Sequence, residues 1–206
     1  MSLARLLQLA SPALPVGAYS YSQGLEAAIE AGIVKDEETA ARWIGDVLEL
    51  SLARFELPVL ARQLREPSQA MNDLFLAGRE TAELRAETLQ MGGSLAKLLA
   101  DLGVEVPIAQ PAYPSAYACA ARHWGIAPRD ALIAYAWSWL ENQVMAAVKA
   151  VPLGQTAGQR ILLAFGARLE ELSQCDLNEE SWSNLAPGLA FLSARHEKQY
   201  SRLFRS

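Results

Sequence analysis

Cys119 and His123 stand four residues apart in "YACAARHWG", a spacing that puts a thiol and an imidazole on one face of a helix. Both side chains ligate transition metals, so the pair could share one nickel or zinc ion. Such a site takes three or four protein ligands, and no second pair stands nearby in sequence. A buried thiol beside a helix-end histidine at Gly125 is the simpler reading; a transient or dimer-shared metal site is the alternative. Ser/His/Asp catalysis needs a nucleophile set on a strained turn, and no such elbow is present. "PLGQTAGQR", Pro152 to Arg160, has glycines but not the G-x4-G-K-[ST] order that wraps phosphates. Gly154 and Gly158 fit instead a small-residue stripe where two helices approach closely, with Gln155 and Gln159 beside the seam. Glu170, Glu171, Asp176, Glu179 and Glu180 surround a helix end and a loop and read as a solvated face. Trp124, Trp137, Trp139 and Trp182 read as core or core-edge fillers. No catalytic constellation is assembled from these types.

The elements that position these residues are helical throughout. Asp36 suits an N-cap, and Glu37 and Glu38 follow where the helix dipole favours negative charge. Trp43, Ile44, Val47, Leu48, Leu50 and Phe55 recur at helical spacings, and Pro58 should kink or restart that helix. Ser68 to Leu102 reads as one short and one long helix stopped by Gly103, with Gly92-Gly93 a thin or bent place. Val104 to Pro114 holds Pro107, Pro111 and Pro114 and must be a loop, since Pro107 spoils the only strand candidate. Ser115 to Trp124, Ala131 to Val151, Gly154 to Ser173 and Leu189 to Phe204 follow as helices. The expected fold is a single all-α domain over residues 1–206, with roughly eight to ten helices in a bundle or layered array.

Bulk properties narrow the function classes. The chain has 206 residues, of which 51% are hydrophobic and 20% charged, which excludes disorder. A net charge of −5 argues against electrostatic binding of nucleic acid. The most apolar segment, Ala131 to Leu140, is far short of the roughly 20 residues a membrane span needs. Two cysteines and no signal-peptide pattern point to a reducing, cytoplasmic setting.

Both ends are unusual. "SPALPVGAYSYSQGLEAAIEAG", Ser11 to Gly32, opens with a turn at Leu14-Pro15-Val16-Gly17. Ser20-Tyr21-Ser22-Gln23 then fits a capping box, with Tyr21 inward and Tyr19 outside the helix that Gly32 stops. Residues 1–22 read either as no more than a rigid lead-in to a capped helix or as a surface feature presented to a partner. At the other end "RHEKQYSRLFRS" carries Arg195, Lys198, Arg202 and Arg205 against Glu197 alone, with Tyr200, Leu203 and Phe204 among them. Basic and aromatic residues together are what interfaces enrich. The segment is either an amphipathic last helix folded on its own domain or a tail, residues 195–206, that another protein receives; the second reading is preferred.

Four stretches carry a resemblance: "LQLASPALPVGAYSYSQGLE", "RAETLQMGG", "VPLGQTAGQ" and the terminal "RLFRS". In this order, from near the first residue to the last, they resemble the urease accessory protein F family of nickel-insertion chaperones. Where many relatives carry an acidic "SDS", this chain has Ala10-Ser11-Pro12, so no role of that carboxylate carries over. The resemblance implies an all-α, non-catalytic scaffold that joins accessory protein D (also called H) and a GTPase, accessory protein G. Their complex docks on apo-urease and delivers nickel in a GTP-dependent way, with this chain modulating the GTPase. It further implies a homodimer with no stably bound cofactor, nickel being handled by the complex and GTP by the partner. The implied partner-binding residues are Pro15, Gly17, Tyr19 and Gln23 in the lead-in and Tyr200, Arg202, Leu203, Phe204 and Arg205 in the tail. A direct nickel carrier using Cys119 and His123 is the alternative function.

Overall fold

Helix α3, Glu37–Val47, begins where its cap directs. Asp36 accepts the Thr39 amide at 2.9 Å while Thr39 Oγ1 accepts the Asp36 amide at 3.1 Å. Such a reciprocal box contributes on the order of 1 kcal/mol. Ser68 and Thr81 cap α5, Gln69–Ala77, and α6, Ala82–Asp101, in the simpler way, accepting the Met71 and Leu84 amides. Gly103, at φ +74°, stops α6. The computed structural model describes residues 3–175 and 177–206; Asp176 lies outside the described residues. Those residues form ten α-helices and no strand, the all-α fold expected.

Pro58 has the predicted effect by a particular route. Residues Leu48–Glu56 continue α3 as a π-helical segment, and α4, Leu57–Arg65, restarts with Pro58 in its first turn. Proline has no N–H for the carbonyl four residues back. That carbonyl, Arg54 O, instead accepts the Ser183 amide at 3.1 Å.

Helix α8, Pro128–Ala150, is the axis of the molecule. Small and large residues alternate around it, and Ala131, Tyr135, Leu140, Val144 and Ala147 are all buried. Around it pack α1 (Leu3–Ala10), α2 (Leu25–Glu30), α3, α4, α7 (Tyr113–His123) and α9 (Gln155–Leu172). Helix α7 is buried continuously from Pro114 to Ala121. Its four alanines and Cys119 let α4 and α6 come close. A Cβ on Gly92 would lie 2.0 Å from Pro111 O, so α6 can meet the entrance of α7 only with glycine there. The thin place in α6 is therefore a backbone contact rather than a bend.

Several boundaries differ from expectation. Helices α7 and α8 start two or three residues early, because Pro114 and Pro128 sit in first turns whose N–H groups have no intrahelical partner anyway. Helix α1 has no counterpart among the expected helices; it buries only Leu9. In the Gly154/Gly158 stripe only Gly158 is at a seam, where a Cβ would stand 2.9 Å from Val148 Cγ2 of α8. Gly154 caps α9 in open space, and Gln155 and Gln159 are exposed. The last helix, α10, spans Pro187–His196 and stops eight residues short of Phe204. Arg202 turns its guanidinium back onto the Glu197 and Gln199 carbonyls, closing the chain into turns rather than further helix.

Candidate partner-binding site

The lead-in reaches α2 through three left-handed residues. Gly17 has φ +79°, Gln23 +52° and Gly24 +77°. The tight hydrogen bond runs from Val16 N–H to Leu14 O around Pro15, and a wider turn joins Leu14 N–H to Ser11 O. The predicted capping box on Ser20 does not form. Ala18–Ser20 is a single 3-10 turn, and Ser22 Oγ accepts the Glu26 amide at 3.3 Å instead. Because Gln23 sits in the left-handed region, its side chain turns away from the helix start. Its Oε1 accepts from Trp139 Nε1 at 2.8 Å and its Nε2 donates to Glu87 at 2.7 Å. Tyr21 does face inward, 4% exposed, and donates to Gln90 of α6 at 2.7 Å.

The tail lies on its own domain, which corrects the expectation that it stands free. Phe204 is 5% exposed and part of the main core, with Lys149 Nζ 4.7 Å above its ring. The apolar content of the tail is small for a core segment, but carboxylates from elsewhere satisfy its main chain. Glu26 accepts the Leu203 amide at 2.7 Å and the Phe204 amide at 2.9 Å. Arg205 N–H donates to Ser20 O at 2.7 Å, and Ser206 O accepts from both the amide and the hydroxyl of Ser22. Glu83 pairs with Arg202 at 2.7 Å and with the fully buried His196 at 2.8 Å. His196 also touches Glu26 at 3.2 Å.

Glu87 joins the two segments. One oxygen accepts Gln23 Nε2 and the other accepts Ser206 Oγ, both at 2.7 Å. Burial pushes its carboxyl up to about 7, and the nearby Glu56 carboxylate pushes in the same direction. Behind it lies a cavity of about 50 Å³ lined in part by Glu56, Arg79, Tyr113 and Tyr135. Glu56 accepts from both Arg79 and Tyr135, and burial raises the Tyr135 phenol further.

Both segments also carry exposed aromatic and basic side chains. Tyr200 is fully exposed, Tyr19 is 75% and Leu203 58% exposed, and the Arg205 side chain is exposed as well. Pro15 is exposed on the neighbouring turn, at the edge of a groove of about 310 Å³ lined by Leu14, Val16, Tyr19 and Met145. Of the residues expected to bind partners, Pro15, Tyr19, Tyr200, Leu203 and Arg205 thus face outward. Gly17 sets the turn, the partly buried Gln23 and the buried Phe204 hold the structure from inside, and the exposed Arg202 is tied to Glu83 and to the Glu197 and Gln199 carbonyls. Glu26, Glu83, Glu87, Ser22 and His196 were missed. Glu26 and Glu87 interrupt otherwise apolar helical faces inside two of the quoted motifs, which was the available signal.

The metal candidates separate. Cys119 is 6% exposed and burial raises its thiol, whereas His123 is exposed at the end of α7. Among the described residues no three His, Cys, Asp or Glu side chains are grouped to hold a metal ion. Within the same residues no helix is long and apolar enough to cross a membrane.

An all-helical chain whose two end segments are hydrogen-bonded to each other defines, as a class, an all-α protein with interlocked ends. Comparison with known proteins gives the family. The UreF family model matches residues 34–166. The chain is 58% identical to the urease accessory protein UreF of Azoarcus sp. (strain BH72), over 100% of this chain and 96% of the relative. It is 49% identical to that of Dechloromonas aromatica (strain RCB), covering 100% and 98%. The chain belongs to the UreF family of urease accessory proteins, and its role lies in urease maturation.

Proposed function

We propose that this protein is a non-catalytic scaffold that joins accessory protein D (H) and the GTPase G into a complex on apo-urease. Nickel is then delivered in a GTP-dependent way, with this chain modulating the GTPase. The observation that carries the reading is the junction of lead-in and tail, where Arg205 N–H meets Ser20 O and Ser22 N–H meets Ser206 O, with Tyr19, Tyr200, Leu203 and Arg205 exposed on the two segments. Exposed aromatics and arginines on a rigid base are what binding hot spots are made of. Bracing beneath them lowers the ordering cost of association. Nickel and GTP belong to the complex and to the GTPase, and this chain holds neither stably. Self-association as a dimer and residence in the cytoplasm complete the proposal. Direct nickel carriage by Cys119 and His123 is disfavoured by the burial of one and the exposure of the other. The test is urease activation in cells whose own copy of this gene is deleted. Complementation with the wild-type chain should restore nickel-loaded urease, and Tyr19→Ala/Leu203→Ala should not, although it accumulates as a folded protein. Full activation by the double variant would refute the assignment of this junction.

A further inference from the structure

We propose that the lead-in and the tail form one cooperative element, released and re-docked together, so that whatever engages one segment controls the other. This deepens the scaffold reading by naming how its binding segments are regulated, and it rests on that reading only for its functional use. The ties are reciprocal. Glu26, the second residue of α2, receives two tail amides, and Ser22 and Ser20 exchange main-chain hydrogen bonds with Ser206 and Arg205. Glu87, on α6, divides its two oxygens between Gln23 and Ser206.

The lead-in has local turns of its own, but its step into α2 depends on its surroundings. Left-handed backbone at Gln23 is sparsely populated for a residue with a side chain and persists only where surroundings over-determine it. The helix that follows has only Gly24 at its N-cap, with no side-chain capping bond from that residue. Gly24 in turn lies against α10, where a Cβ would stand 3.2 Å from Leu189 and 3.4 Å from Ser193 N. If the tail leaves, Glu26 loses both amide donors, and Ser22 and Glu87 each lose a partner, in a region that is 0–7% exposed. Leaving buried polar groups unpaired is more costly than never having formed the bonds, so the lead-in must rearrange or hydrate. The converse holds when the lead-in opens: the Arg205 amide loses Ser20 O, and Ser206 O loses both the amide and the hydroxyl of Ser22. Sub-global opening of such contiguous units is the ordinary behaviour of folded chains, but here the unit joins segments about 180 residues apart.

Native-state hydrogen exchange on the full chain, without partners, tests this separately from the scaffold reading. Two variants perturb opposite ends. Phe204→Ala removes the tail's anchor; Gly17→Ala strains the lead-in at φ +79° in open space, where no tail atom would meet the new Cβ. Each should speed exchange at both residues 20–26 and 203–205 by about fivefold or more, with α7 and α8 unchanged. Acceleration confined to the perturbed segment in each variant would overturn the proposal. If either variant fails to fold, the wild-type chain decides in a low-urea series. Equal opening free energies and equal urea slopes for the two segments support one unit, and distinct slopes refute it.

Discussion

Replacing Glu87 by Gln should make the protein more stable above neutral pH, and the size of the effect follows from its surroundings. Glu87 is 6% exposed, and burial raises its carboxyl from 4.5 to about 7. A folded-state value above the unfolded one means that the folded protein binds the extra proton. The stability this contributes is fully present below about pH 4.5 and is lost as pH rises through about 7. At about 1.4 kcal/mol per unit, the loss is on the order of 3 kcal/mol. For a chain of this size that is roughly 6–12 °C in Tm. Glu56 and Arg79 face the same cavity and modify the midpoint, but both remain in the variant. The introduced carboxamide keeps an acceptor for Gln23, and the Ser206 hydroxyl can turn to accept from its NH₂ group. Thermal unfolding of both proteins from pH 5 to pH 8.5 therefore gives a Tm gap that widens with pH in favour of Glu87→Gln. A gap that does not change with pH, or a wild type that gains on the variant above pH 7, would refute the reasoning.

Other perturbations separate packing from binding. Gly92→Ala should cost roughly 1–3 kcal/mol by overpacking against the Pro111 carbonyl, and Gly158→Leu a similar amount at the α8–α9 seam, while Gly154→Ala stays near neutral; denaturant midpoints check all three. Removing His196 to Ser206 should lower Tm sharply, since Glu26 and Glu83 lose His196 and two amide donors, whereas Tyr200→Ala should leave Tm unchanged and weaken partner binding about tenfold or more, as read by titration calorimetry. Labelled GTP at micromolar concentration should not bind the isolated chain, and equilibrium dialysis against nickel should give the same result for Cys119→Ala as for the wild type.

Local signals were legible because their physics is local. Asp36, Ser68 and Gly103 marked helix ends through hydrogen bonds made within three or four residues, and Gly158 announced a close seam. Pro58, Pro128 and Pro187 were legible as helix restarts or starts, whereas Pro114 was assigned to the preceding loop, because sequence does not say whether a proline closes a loop or opens a first turn. The tail misled for a different reason. Its arginines and single anchoring phenylalanine look like a free interface when read alone, and what holds them lies far away, in Glu26, Glu83 and Glu87. Non-local pairing of that kind leaves no periodicity. The exposed candidates, Tyr19, Tyr200, Leu203 and Arg205, were visible as residue types; that the two segments carrying them meet required the Arg205–Ser20 and Ser206–Ser22 contacts.

The central claim, that this chain is a scaffold acting through that junction, is tested most directly by affinity capture from a lysate containing every urease subunit and accessory protein. The wild-type chain should bring down accessory protein D, the GTPase and urease together. Tyr19→Ala/Leu203→Ala, with unchanged circular dichroism and Tm, should bring down none of them. Recovery of the full assembly by the double variant, or no assembly with the wild type, would contradict the account.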